Sequence, residues 1–272
     1  MVNHTTFNGL NAKNFQPGLR TQAIGRRAHV LAEAPSTNTL AFTLAESGEP
    51  HGTVVLAENQ TAGRGRLGRS WHSPPYKNIY CSVLIIDPRL EQHLTWIPLV
   101  TGLAISEALK QVVSVKPTLK WPNDLLVENK KLGGILCENT GQKTAPGVLV
   151  VGFGLNVNAD PEDFPADLLH QSTSIFMEIG KLVNRNSILT LIFNGLEKWY
   201  DHLAAGQVEV VRLAYMAECS TLGVDIRCSM ANSQAITGRA IGIAKDGALQ
   251  VRLCEEVSQT IEIRSADVIH VR

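Results

Sequence analysis

The sequence predicts an α+β fold, a mixed β-sheet flanked by helices and followed by a small all-β unit. Three observations point there. Strand-like and helix-like stretches are mixed without the strict alternation that builds a doubly wound parallel sheet. Residues 94–112 are apolar nearly all round and too long for a strand, which predicts a buried helix. From about residue 222 the chain becomes short strand-like runs separated by turn residues.

The elements follow in order. Ser36 at the N-cap and Gly48 just past the last turn bracket a short helix. The apolar runs Thr53–Glu58 and Ile79–Ile86 read as strands. After the buried helix, strands are predicted at Thr118–Trp121 and Ile135–Asn139, with a turn at Glu128–Lys131 between them. Gly147–Phe153 is a continuous apolar run suited to a central strand. Residues 187–206 place Ile188, Leu191, Ile192, Leu196 and Trp199 on one helical face. The C-terminal strands are Val224–Met230, Ala235–Ala244, Ala248–Leu253, Thr260–Arg264 and Val268–Val271, with Asp246-Gly247 as a two-residue hairpin turn. Such a run is a small barrel or sandwich. The expected division is an N-terminal extension (1–27), a catalytic unit (28–221) and the β unit (222–272).

Composition narrows the functional classes. The chain of 272 residues carries 25 basic and 25 acidic side chains, so it presents no general field for a polyanion. No apolar run approaches the roughly 20 residues that cross a bilayer, and no membrane partner is expected. Five cysteines without a C-x-x-C pair fit a reducing compartment, which makes the cytoplasm the expected location. The eight histidines show no zinc-ligand spacing. The first 32 residues hold Lys13, Arg20, Arg26 and Arg27 and no acid, a composition faintly like a transit peptide but without an amphipathic period.

The most informative stretch is 58–75, ENQTAGRGRLGRSWHSPP. Arg64, Arg66 and Arg69 alternate with Gly63, Gly65 and Gly68. Glycines let backbone N–H groups approach an anion, and arginine forks bind carboxylate or phosphate bidentately. The same letters spell G-x-G-x-x-G, but a dinucleotide fingerprint needs a helix to open inside it, and Pro74-Pro75 forbid one just beyond. An RG-rich nucleic-acid segment would be repetitive and set in a basic region, whereas this loop is single and lies between apolar runs. Two further clusters join it. Lys120-Trp-Pro-Asn123-Asp124 puts Asn123 and Asp124 at a strand tip, with Lys131 on the turn that precedes Gly133-Gly134. Gly152-Phe-Gly154-Leu-Asn156 is another strand end delivering glycine and an amide. Three such ends predict one pocket for an anion and a base. Taken singly, Ser36-Thr37-Asn38 reads as a helix start and Lys130-Lys131 as a solvated hairpin tip.

In this order, and after an STN segment, ENQTAGRGRLGRSWHSP, KWPNDLLV, KKLGGILCE and VGFGLNVN closely resemble the biotin protein ligase family over roughly residues 25–272. The resemblance implies a mixed-sheet catalytic fold with an SH3-like C-terminal barrel. It implies a two-step ligase: biotin and Mg-ATP give biotinyl-5′-adenylate, and biotin then passes to a lysine of a biotin carboxyl carrier domain. By the same resemblance Ser36, Thr37, Asn38 and Gln60 meet the biotin ureido ring, with Gly63 and Gly134 lining the pocket. Arg64, Gly65 and Arg66 order over the carboxylate and adenylate phosphate. Trp71, Arg69, Asn123, Asp124 and Asn156 belong to the nucleotide side, with Asp124 a candidate Mg2+ ligand. Lys131 contacts the reacting carboxyl or phosphate, and Lys120 stabilises the transition state. Some members begin with a DNA-binding winged helix of about sixty residues. Only 35 residues precede Ser36 here, so a monofunctional ligase without a DNA partner is expected. Members are monomers or homodimers. The rival readings are a lipoate or octanoate transferase on the same fold and a non-catalytic nucleic-acid module.

Overall fold

The computed structural model describes residues 9–113, 115–139, 147–229, 235–254 and 259–271. Seven strands form the main sheet: β1 (Ala28–Leu31), β2 (Val54–Ala57), β3 (Ile79–Ile85), β4 (Thr118–Lys120), β5 (Asp124–Val127), β6 (Lys130–Asn139) and β7 (Leu149–Leu155). Their spatial order is β1-β2-β3-β7-β6-β5-β4; β1 and β2 are parallel and every other pairing is antiparallel. Strands β2 and β3 are buried along their whole length, because the sheet is covered on both faces.

The α-helices are α1 (Ala12–Phe15), α2 (Thr37–Glu46), α3 (Ile97–Val112), α4 (Ala166–Leu169), α5 (Ile175–Ile179), α6 (Arg185–Ala204) and α7 (Val208–Glu218). Helix α2 covers one face, where Ala41 packs with Val55, Leu84 and Val150. Helices α3 and α6 cover the other, and the larger core gathers Leu56, Val83 and Val151 under Val100, Leu103, Ile192 and Leu196. Neighbouring residues Val55 and Leu56 thus serve opposite cores, as the two-residue period of a strand requires. Five C-terminal strands, β8 (Asp225–Ser229), β9 (Ala235–Ile243), β10 (Leu249–Leu253), β11 (Thr260–Ile263) and β12 (Asp267–His270), make a separate antiparallel sheet in the order β11-β10-β9-β8-β12.

The segment before β1 is part of the core. Phe15 and Ile24 are fully buried, and Phe15 meets Phe193 of α6 edge to face. Glu197 of α6 accepts the main-chain N–H groups of Gln22, Ala23 and Ile24. At the other end of α6, Arg185 is fully buried. Its Nη1 lies 2.6 Å from Glu58 Oε2 and 2.8 Å from the Asn78 carbonyl, and its Nη2 is 3.1 Å from Glu58 Oε1. The N–H of Leu10 also donates to Glu58 Oε1, at 2.6 Å. One ion pair therefore ties β2, β3, α6 and the N-terminal segment.

Several elements differ from the sequence reading. Strands β1 and β5 and helix α7 were not anticipated; the first two are four residues long, too short to show a period. Lys131 lies on β6, not in a turn. The turn is Glu128-Asn129, both at positive φ (48° and 69°), the geometry of a two-residue hairpin loop. Asp246-Gly247 belongs to a three-residue connection closed by Ala244 N–H on Ala248 O, with Gly247 at φ 84°. Ser36 does occupy the N-cap of α2, but its side chain makes no capping bond. Helix α6 starts at Arg185 because Asn184 caps it through Asn186 and Ser187. Met230, the expected end of β8, and residues 1–8 of the extension lie outside the described residues.

Arg185→Met leaves the Glu58 carboxylate buried without its cation, which costs about 3–5 kcal/mol and should appear as an early midpoint in urea unfolding. The double exchange Glu58→Leu with Arg185→Met should recover much of the loss. A single variant as stable as the parent would mean that water reaches the pair.

Candidate active site

The ends of β2, β3, β6 and β7 and the start of α2 converge on one cleft. Its first wall is a polar network under the N-terminus of α2. Gln60, just past β2, stands in for the missing serine cap: its Oε1 accepts the Thr37 N–H at 2.9 Å, and its Nε2 reaches Ser73 Oγ at 3.2 Å. Asn38 donates to Glu138 Oε2 (2.7 Å) and to Leu136 O (3.2 Å). Ser82 Oγ lies 2.5 Å from Asn38 Oδ1 and 2.7 Å from Thr37 Oγ1. Ser82, Gly152 and Leu136 face one another across three adjacent strands, and Asn38 rests on them. A Cβ on Gly152 would stand 2.1 Å from Asn38 Oδ1, so only glycine admits this amide.

The second wall is the arginine loop. No α-helix opens in it; it holds only a single 3-10 turn at Arg66–Gly68. Gly63 pairs with Trp71 and Gly65 with Arg69 through N–H···O bonds of 2.9 and 2.7 Å, making a narrow hairpin that turns at Leu67-Gly68 with φ 56° and 73°. Arg64 Nη2 is 2.9 Å from Glu138 Oε2, so one carboxylate holds both the loop and Asn38. Arg66 Nη1 donates to Asn123 Oδ1 at 2.9 Å, and its Nη2 reaches Ala266 O (3.2 Å) and Ser265 Oγ (3.3 Å). Burial lowers the Arg66 pKa from its ordinary value, against the pull of Asp124 and Asp267. Arg69 is ion-paired with Asp267, and that hydrogen bond raises its pKa. The connection between β11 and β12 therefore touches the loop through two arginines.

The third wall carries Lys131 and Trp71. A bulge at Leu132, where Leu125 faces Gly133 but Leu126 faces Lys131, re-aims the lysine. Its Nζ lies 2.8 Å from Asp124 Oδ1, an ion pair too poorly aligned to be a hydrogen bond, and 5.4 Å from the centre of the Trp71 ring. The indole lies flat on glycine: a Cβ on Gly154 would come within 2.4 Å of it, and one on Gly134 within 3.1 Å. Trp71 Nε1 is buried and makes no hydrogen bond among the described residues. Such a donor costs about 1–3 kcal/mol, which a ligand acceptor would recover.

Of the residues picked out in the sequence, Ser36, Thr37, Asn38, Gln60, Arg64, Gly65, Arg66, Trp71, Asn123, Lys131 and Gly134 line this cleft together. Gly63 lies behind it, where its missing Cβ admits Trp71 O and Gln60. Asp124 stands behind Lys131. Arg69, Asn156 and Lys120 are not on the cleft wall: Arg69 faces Asp267, Asn156 is buried with its Nδ2 on Thr173 O at 2.9 Å, and Lys120 is placed so that its charge lowers the pKa of His270 after burial. Gly152 and Gly154, the expected glycine-bearing strand end, line it as well, whereas Glu138 and Ser82 went unassigned in the sequence. Ser82 was the more findable, as the hydroxyl inside the apolar strand IYCSVLI.

Comparison with known proteins follows the same division. Residues 30–156 match the Biotin/lipoate A/B protein ligase family, and 221–271 match the Biotin protein ligase C terminal domain. A biotin–[acetyl-CoA-carboxylase] ligase of Mycobacterium tuberculosis is 35% identical, over 93% of this chain and 94% of that protein. The bifunctional ligase/repressor BirA of Bacillus subtilis is 29% identical, over 95% of this chain and 78% of its own length. The biotin protein ligase of Aquifex aeolicus in complex with biotin and ATP superposes with a TM-score of 0.79 at 28% identity, covering 90% of this chain and all of that one (100%). The Leishmania major enzyme with biotinyl-5-AMP gives 0.59 at 25% identity, over 88% of this chain and 98% of that one.

Gly152→Ala should cost about 1–3 kcal/mol, the usual range for overpacking, because Asn38 must leave its three partners. An unchanged thermal midpoint would show that Asn38 moves aside freely.

Proposed function

This chain belongs to the biotin protein ligase family, and we propose that the cleft performs both half-reactions of that chemistry with the following division of labour. The enzyme is an ATP-dependent ligase: biotin and ATP give biotinyl-5′-AMP and pyrophosphate, and biotin then passes to a lysine of a biotin carboxyl carrier domain. One observation carries the assignment: Arg64, Arg66 and Lys131 line the same cleft as the amide network of Thr37, Asn38 and Gln60. A ureido ring offers N–H donors and a carbonyl acceptor, which suits Ser36, Thr37, Asn38 and Gln60. The acid end of biotin then points toward the three cations.

The first step joins two anions, a carboxylate and a phosphate, and shifts charge onto phosphate oxygens. Cations held in advance at that place lower the barrier without reorganising. Arg64 is held by Glu138, Arg66 by Asn123 and the Ala266 carbonyl, and Lys131 by Asp124. The glycines Gly63, Gly65 and Gly134 keep the backbone close. Trp71, with its unspent indole N–H, and Asn123 form the nucleotide side, and Asp124, Asn156, Arg69 and Lys120 back it from behind the cleft wall. Mg2+ typically takes one or two protein carboxylates and completes its shell with phosphate and water. Asp124, whose buried Oδ1 is 2.8 Å from Lys131 Nζ without an aligned hydrogen bond, would be the single carboxylate to hold Mg2+ brought in with ATP, and the ion would neutralise phosphate charge. No protein nucleophile is required for the second step. AMP is already a good leaving group: the neutral amine of the carrier lysine attacks the acyl carbon, the acyl–oxygen bond to phosphate breaks to release AMP, and the amine's extra proton passes to solvent, while the cleft keeps the two aligned.

The partners are biotin, ATP and a carrier domain, and assembly as a homodimer belongs to the proposal. The working division is a catalytic unit of 28–221 and a C-terminal unit of 222–272. No helix among the described residues is long and apolar enough to cross a membrane, and the cytoplasm is the proposed location.

Incubation with biotin, Mg-ATP and a purified carrier domain should raise the carrier's intact mass by one biotin; turnover of lipoate or octanoate instead would move the assignment to the sister transferases. Lys131→Ala should slow biotin-dependent exchange of radiolabelled pyrophosphate into ATP by roughly two to three orders of magnitude, the usual effect of removing one preorganised donor. Parent-like exchange would remove Lys131 from the reaction. Arg64→Ala should fold normally yet release biotinyl-adenylate into solution, whereas full retention would reassign the loop.

A further inference from the structure

We propose that Asn78 is a positioning residue for this reaction, fixing from behind the strand end that carries Asn156. The inference rests on the assignment of Asn156 to the nucleotide side. Asn78 immediately precedes β3 and is fully buried. It lies where the β3–β7 ladder runs out, since the last pair is Ile79 with Leu155. Past that pair the β7 chain turns to other acceptors: Asn156 N–H donates to Leu132 O at 2.9 Å and Asn158 N–H to Lys77 O at 3.0 Å. Between them, Val157 N–H donates to the Asn78 side chain, 2.8 Å from Oδ1. The Asn78 Nδ2 faces Asn156 Oδ1 at 3.5 Å. One carboxamide thus satisfies a main-chain donor with its oxygen and orients the neighbouring amide with its nitrogen.

Asn156 passes the constraint on. Its Nδ2 donates to Thr173 O at 2.9 Å and lies 3.5 Å from Lys131 O. The Thr173 N–H in turn donates to Lys131 O at 2.9 Å. A shift at Asn78 is therefore felt at Asn156 and at the main chain of Lys131.

What anchors Asn78 is independent of its side chain. Arg185 Nη1 binds the Asn78 main-chain oxygen at 2.8 Å, and the guanidinium is pinned by Glu58. Truncating the side chain leaves the buried ion pair and this bond in place, so the loss is confined to the contacts with Val157 and Asn156.

The test compares Asn78→Ala, Asn156→Ala and the double variant in pyrophosphate exchange, with thermal unfolding alongside. Asn78→Ala should raise KM for ATP about tenfold, the scale of one lost hydrogen bond, with KM for biotin within about twofold. The double variant should be no worse than Asn156→Ala, as for residues acting as one unit. Asn156→Ala impaired beside a parent-like Asn78→Ala overturns the inference and leaves Asn156 in the site. A parent-like Asn156→Ala removes the assignment on which it rests, and the inference with it. A lower midpoint with both KM values unchanged marks Asn78 as structural only, and also overturns it. Should Asn78→Ala fail to fold, Asn78→Ser, with a short hydroxyl toward Val157, is read by the same criteria.

Discussion

The Arg185 guanidinium is the point from which the rest of the molecule is hung. It has no contact with water, and it binds a carboxylate at the end of β2 and a carbonyl at the start of β3. A buried charge is tolerated only when it is paired and its donors are used. That requirement brings two strand ends and the first turn of α6 to one place, and the N-terminal segment joins through Leu10. The hairpin of the arginine loop begins at Gly63, five residues beyond Glu58, so the second wall of the cleft springs from a fixed root.

The cleft is built by mutual restraint among groups of opposite charge and size. Glu138 holds Arg64 and Asn38 at once, and Asp124 faces Lys131. Glycines at 134, 152 and 154 let an amide and an indole lie directly on the strands. Cations kept in place by such partners need no rearrangement when substrate charge develops, which is the condition for electrostatic catalysis. The C-terminal sheet takes part through Ser265, Ala266 and Asp267, which meet Arg66 and Arg69 and so hold the loop from the outer side.

Much of this was legible in the sequence, and the reasons are local. The apolar run 94–112 and the face of 187–206 gave α3 and α6, since burial imprints a period on neighbouring residues. Strand ends bearing glycine next to asparagine or lysine marked the site. The misses are equally physical. Strands β1 and β5 are too short to carry a period, and the bulge at Leu132 arises from pairing between strands. Glu138 and Ser82 looked like ordinary strand residues because their partners come from α2 and the loop.

By itself the sequence determined the fold class, the family and most of the residues that line the cleft, because turn chemistry, periodicity and ordered motifs are written in adjacent letters. Only the tertiary structure decided which charges meet. Arg185 and Glu58 are 127 positions apart, and Arg66 and Ala266 are 200 apart. No local preference encodes such pairs; they follow from which strand ends the folded sheets bring within hydrogen-bond reach. Lys120 and Asn156 show the same limit from the other side, since their motifs mark them plainly and the fold alone sets them behind the cleft wall.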